Sequence, residues 1–112
     1  MQGSEIMNQP IELAGMSGAR YRYLRLEDDR TLPPSGANFV LAELTPEGPS
    51  VVYAGETDNL ANPAWRASLE EARKTRPHVT VLTRLNVTRA VREAERADLV
   101  ERYQPPMNQP PN

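Results

Sequence analysis

The sequence predicts an α+β domain: a small, mostly antiparallel β-sheet flanked by helices, with elements in the order β-β-β-α-β-α. Three observations predict it. Two apolar, strand-like runs, Asn38-Phe39-Val40-Leu41-Ala42-Glu43-Leu44 and Val51-Val52-Tyr53, flank a turn rich in Pro and Gly. Asn62-Pro63 then opens a helical pattern rather than another strand. A β-branched run, His78 to Leu85, precedes a second helical stretch that Pro105-Pro106 stops. Each element has an apolar side to bury, and helices laid on a short antiparallel sheet are the simplest arrangement that buries them.

Taken in order, residues 1–17 are rich in Gly, Ser, Gln and Asn and are expected to be weakly ordered, with Ile11 and Leu13 as apolar anchors. One domain is expected over 18–108, with a tail at 109–112. Arg20 to Leu26 alternates arginines with tyrosines and leucines and predicts the first strand. Asp28 to Gly36 is a loop, because Pro33-Pro34 disfavours helix. The runs 38–44 and 51–53 form the second and third strands, paired as a hairpin across Thr45-Pro46-Glu47-Gly48-Pro49. Asn62 suits an N-cap, and Pro63 suits the first helical position, where its missing N–H is not needed. That helix is expected to reach about Thr75, with Trp65, Leu69 and Ala72 on its apolar stripe. Strand four covers 78–85. Asn86 is expected to cap a last helix from Val87 to about Tyr103, whose Val91, Glu95 and Leu99 share one face at i, i+4, i+8.

Composition narrows the function. With 112 residues, one modest core is expected. No cysteine is present, so disulfides and cysteine-zinc sites are excluded, and the lone His78 cannot build a multi-histidine site. The 13 basic and 15 acidic residues leave a net charge of −2, without the strong positive footprint of a dedicated nucleic-acid binder. No apolar run is long enough to cross a membrane, and MQGSEIMNQP lacks the basic and apolar regions of a secretory signal. A soluble cytoplasmic protein is the expectation.

The stretch VVYAGETDNL, read with ANFVLAEL, resembles the paired signature strands of the GIY-YIG domain superfamily. Ala37-Asn38-Phe39 would stand for the first signature and Tyr53-Ala54-Gly55 for the second. The C-terminal ADLVERYQPPMN is similar to the superfamily's closing helix and Pro-x-x-Asn segment. The resemblance covers roughly residues 37–108, and GMSGARYRYLRL at 15–26 looks like a strand added in some bacterial members.

The resemblance implies a fold and a chemistry related to nucleic-acid processing nucleases. DNA or RNA would be the partner, and Mg²⁺ or Mn²⁺ the cofactor. It assigns catalytic roles to Tyr53, Arg66 and Glu95, with Glu95 as metal ligand. Phe39, Gly55 and Asn108 would contact substrate. In such a site the metal polarises the phosphate, and the arginine offsets charge developing on it. The sequence departs from the pattern in three places. Phe39 keeps the ring of the first tyrosine and loses its hydroxyl. Arg66 falls nearly one turn late. Arg96 stands where the glutamate is expected, with Glu95 one residue, or about 100° of helix, away. Weak or absent cleavage is therefore expected. The alternative is a protein-interaction or structural module with a non-catalytic cleft. On that reading Glu95 pairs with Arg92, Arg96 or Arg66, and Arg66 pairs with Glu70. The arginines of the last helix, interleaved with acidic residues, read as a solvated face.

Overall fold

A computed structural model describes residues 10–26 and 31–109. The fold is α+β, an antiparallel sheet of five strands with two helices. The strands are β1 (Ile11–Ala14), β2 (Arg20–Arg25), β3 (Ala37–Thr45), β4 (Gly48–Thr57) and β5 (Thr80–Leu85), in spatial order β1-β2-β5-β3-β4. Helix α1 spans Arg66–Thr75 and α2 spans Arg89–Tyr103, with 3₁₀ turns at Pro63–Trp65 and Pro106–Asn108.

The first strand lies inside the segment read as weakly ordered. Residues 11–14 pair with 20–23 of β2, and Leu13 is buried. The anchors Ile11 and Leu13 alternate around Glu12, a short period-two pattern that the polar composition of the flanking residues obscured. Residues 1–9 and the tail residues 110–112 lie outside the described residues. Asp98 ties the β1–β2 hairpin to α2. Its carboxylate accepts from the Ser17 amide at 2.8 Å, the Ser17 hydroxyl at 2.7 Å and the Tyr21 hydroxyl at 2.7 Å.

The central hairpin is longer than expected. Its pairing runs from Ala37↔Thr57 to Thr45↔Gly48, interrupted by a bulge between Leu41 and Ala42. Pro46-Glu47 makes the turn, and Gly48 follows at φ 118°, a left-handed conformation that favours glycine.

The sheet has a helix on each face, because side chains alternate along β3. Phe39 and Leu41 join Val52, Trp65, Leu69, Ala72, Val79 and Val81 in one buried cluster, under α1. Val40 and Ala42 point the other way and join Leu13, Tyr23, Val51, Ala54, Leu82 and Leu99, under α2.

Both helix starts differ from expectation. Asn62 caps as expected, its side chain accepting from the Ala64 amide at 3.0 Å, but the turn it opens is 3₁₀ and the α-helix begins at Arg66. Helix α2 begins at Arg89 with Thr88 at the cap. Asn86 is no cap. Its amide donates to Asn38 and Glu95 instead. The buried stripe of α2 is Arg92, Glu95 and Leu99, while Val91 is 51% exposed. The spacing i, i+3, i+7 competes with i, i+4, i+8 on a helix. Here the first prevails because Arg92 finds enough partners to be buried.

Candidate functional site at the end of β4

At the C-terminal end of β4 a cleft of about 510 Å³ gathers residues from both faces of the sheet. Phe39, Tyr53, Trp65 and Ser68 come from the α1 side. Glu56, Arg89 and Arg92 come from the α2 side, and Thr57 and Asp58 follow from the strand end.

The aromatic wall has a specific cause. Phe39 stands directly opposite Gly55 in the β3–β4 register. A Cβ on Gly55 would sit 2.6 Å from Phe39 Cζ and 2.8 Å from Tyr53 Cε2. The absence of a side chain therefore lets the Phe39 and Tyr53 rings close over the strand, with centroids 5.9 Å apart. Trp65 stacks at a tilt on Phe39, with centroids 5.1 Å apart, and its indole N–H donates to the Leu60 carbonyl at 2.9 Å. The space beside Gly55 is thus filled by the protein's own rings.

The charged wall is fixed from behind. Arg92, 3% exposed, donates from Nε to Glu56 Oε1 at 2.7 Å, and from Nη1 to the carbonyls of Asn86 at 3.0 Å and Val87 at 2.8 Å. Asn38, also buried, donates to the Arg92 carbonyl at 3.0 Å. The Glu56 side chain is 21% exposed and turns toward the cleft. Arg89 at the rim donates to Glu93 at 3.0 Å, and that bond raises its pKa.

Glu95 lies elsewhere. It is 2% exposed, on the α2 face of the sheet. Oε2 accepts from the Tyr23 hydroxyl, and Oε1 accepts from Arg84 Nε at 3.1 Å and Asn86 Nδ2 at 3.3 Å. Burial, the Glu95 charge and that hydrogen bond hold Tyr23 protonated well above the usual phenol range. The ion-pair partner of Glu95 is Arg84, not Arg92, Arg96 or Arg66. Arg84 lies on β5 next to Tyr21, 5.8 Å over its ring, a long-range neighbour that helix spacing cannot reveal.

The residues expected to act together are therefore divided. Tyr53 faces the cleft. Arg66, half-buried, stacks its guanidinium 4.8 Å over the Trp65 ring and does not line the cleft. Glu95 is separated from both by the sheet. Asn108, expected at the substrate, bonds the edge strand: Oδ1 accepts from the Ala54 amide at 2.8 Å, and Nδ2 donates to the Ala54 carbonyl at 2.9 Å.

A Mg²⁺ or Mn²⁺ ion does not fit at Glu95. Hard cations of this kind require accessible oxygens and several waters. Here both carboxylate oxygens already accept from three donors, one of them cationic. Among the described residues no group of three or more His, Asp or Glu side chains could hold a metal ion.

The cleft residues that sequence reasoning missed are Glu56, Arg89 and Arg92. Glu56 was visible as the residue after Gly55 in the stretch that raised the resemblance. Arg92 read as one member of a solvated charged face. Among the described residues, no helix is long and apolar enough to cross a membrane. No family model matches the chain, and neither curated proteins nor solved structures give a match.

Proposed function

We propose that this chain is a degenerate GIY-YIG-like domain that holds single-stranded DNA or RNA in the β4 cleft without cleaving it. The observation that carries the reading is the composition of that one cleft. Tyr53, half-buried and backed by the buried Phe39 and Trp65 rings, offers an aromatic edge, and the exposed Arg89 offers a guanidinium beside it, while the buried Arg92 is held by Glu56 and two carbonyls. Bases stack on aromatic rings whatever their sequence, and arginines answer the phosphates, which is how single strands are held. Support for the family comes from the antiparallel β3–β4 pair, with Phe39 opposite Gly55, followed by a helix, a strand and a closing helix ending in Pro105 to Asn108.

The absence of cleavage follows from the separation of Tyr53, Arg66 and Glu95. A carboxylate locked by three donors on the far side of the sheet cannot reach a phosphate in this cleft. The binding is weak, because Glu56 and Asp58 offset Arg89 and Arg92 in the same cleft.

Fluorescence anisotropy of labelled single strands tests this at two salt concentrations, with and without a chelator. The expected result is weak binding that falls with salt at a slope of about −0.7 on a log–log plot, as about one phosphate contact to a single strand gives. A chelator is expected to leave it unchanged. Cleavage of plasmid or structured RNA by the parent, lost in Glu95→Gln, would overturn the reading and restore Glu95 to a metal site. The cancelling charges favour a second reading, a protein-interaction module. Absence of binding to any nucleic acid at low salt selects it.

A further inference from the structure

We propose that the β4 cleft prefers guanine among the bases, with the Glu56 carboxylate accepting hydrogen bonds from the guanine N1–H and N2–H₂ groups. The inference rests on the single-strand reading above and deepens it.

A carboxylate accepts and never donates when ionised. It therefore selects a base edge carrying two adjacent donors. Guanine has such an edge, with N1–H beside the N2 amino group. Adenine presents one donor beside an acceptor, cytosine the same, and thymine or uracil one donor between two acceptors. Single-stranded bases expose these edges, which base pairing inside a duplex occupies.

Glu56 is placed to do this. It lines the cleft together with the half-buried Tyr53, so a base laid against that ring has a carboxylate at hand. The carboxylate is also prevented from turning. Arg92 Nε holds Oε1 at 2.7 Å, and Arg92 is itself fixed by the Asn86 and Val87 carbonyls. Arg92 Nε is the one hydrogen-bond donor to Glu56 among the described residues, which leaves Oε2 and the second lone pair of Oε1 for a ligand. A preorganised acceptor discriminates better than a mobile one, because little freedom is lost on binding. Asp58, also at the cleft, adds a second group that accepts only. Arg89 at the rim is the cation available to the flanking phosphate.

The test is a titration of the unmodified protein with short labelled thymidine strands. Each strand carries one central guanine, inosine or adenine. Inosine keeps N1–H and lacks the N2 amino group, so it removes one of the two donors without touching the protein. The expected order is guanine, then inosine, then adenine, with guanine about tenfold tighter than adenine, the size of a bidentate base contact. In Glu56→Gln the ratio of guanine to adenine affinity is expected to fall toward one. Binding of all three strands with equal affinity overturns the guanine inference and leaves the single-strand reading standing. No binding of any strand overturns both. Should Glu56→Gln fold poorly through loss of the Arg92 partner, the inosine comparison decides alone.

Discussion

Replacing Glu95 by Gln separates a metal ligand from a buried structural carboxylate. The side chain is 2% exposed and accepts from Tyr23, Arg84 and Asn86. Glutamine keeps the shape and one acceptor oxygen, but its NH₂ faces donors where an oxygen had faced them. Each hydrogen bond to a charged group contributes about 1.5–3 kcal/mol. The Arg84 side chain is 37% exposed, so water screens that partner and its share is discounted. One charge-assisted bond from Tyr23 and one weaker contact from Asn86 then remain, which puts the loss at about 3 kcal/mol. For a domain of this size that corresponds to a fall of about 12 °C in Tm, at about 4 °C per kcal/mol. Urea unfolding monitored by circular dichroism measures it, with an unchanged m-value showing that the transition stays two-state. A double-mutant cycle with Tyr23→Phe is expected to show coupling of about 1–2 kcal/mol, because the two side chains touch. A loss below about 0.5 kcal/mol, the size of a surface substitution, together with no coupling to Tyr23, would refute the buried-network argument.

Leu99→Ala, on the stripe that seats α2, is expected to cost about 2–5 kcal/mol in the same urea titration. Val91→Ala is expected to cost under about 0.5 kcal/mol, because Val91 faces solvent. Asn108→Ala removes both hydrogen bonds to Ala54 and is expected to destabilise by about 1–3 kcal/mol, with faster amide exchange at Ala54. Tyr21 is pushed up to about 12, first by burial and then by the Asp98 carboxylate that accepts its proton's hydrogen bond. Its folded pKa lies above the unfolded value of about 10, so its contribution is fully present below pH 10 and is lost as pH rises through about 12. Phenolate absorbance during an alkaline titration measures this, and Tyr21→Phe is expected to flatten the loss of stability over that window.

Much of the fold was legible because it rests on local patterns. The β-branched run before Leu85, the Asn62-Pro63 start and the Pro105-Pro106 stop are each set by chain geometry within a few residues. Strand β1 was not legible, since four residues with two apolar positions carry little signal until β2 supplies their partners. The site was harder for the same reason. Tyr53, Phe39 and Gly55 fall together because one strand pair fixes their register. Glu95 could be placed on a buried helix face from spacing, but which face of the sheet that helix covers depends on packing far along the chain. The choice between Val91 and Arg92 on the α2 stripe was likewise made by Glu56, 36 residues away in sequence, acting with the Asn86 and Val87 carbonyls just before the helix.

The carboxamide of Asn108 occupies the outer edge of β4 as another strand's peptide group would, and this has a consequence for how the chain is made. Asn108 lies 54 residues beyond Ala54. During synthesis the residues of β3 and β4 are therefore all made while α1, β5, α2 and the residue that bonds the outer edge of β4 are still to come. An open, apolar strand edge pairs readily with another chain. Only the arrival of the Pro105–Asn108 segment gives Ala54 its partners, so one late amide serves as a latch on a strand made half a chain earlier.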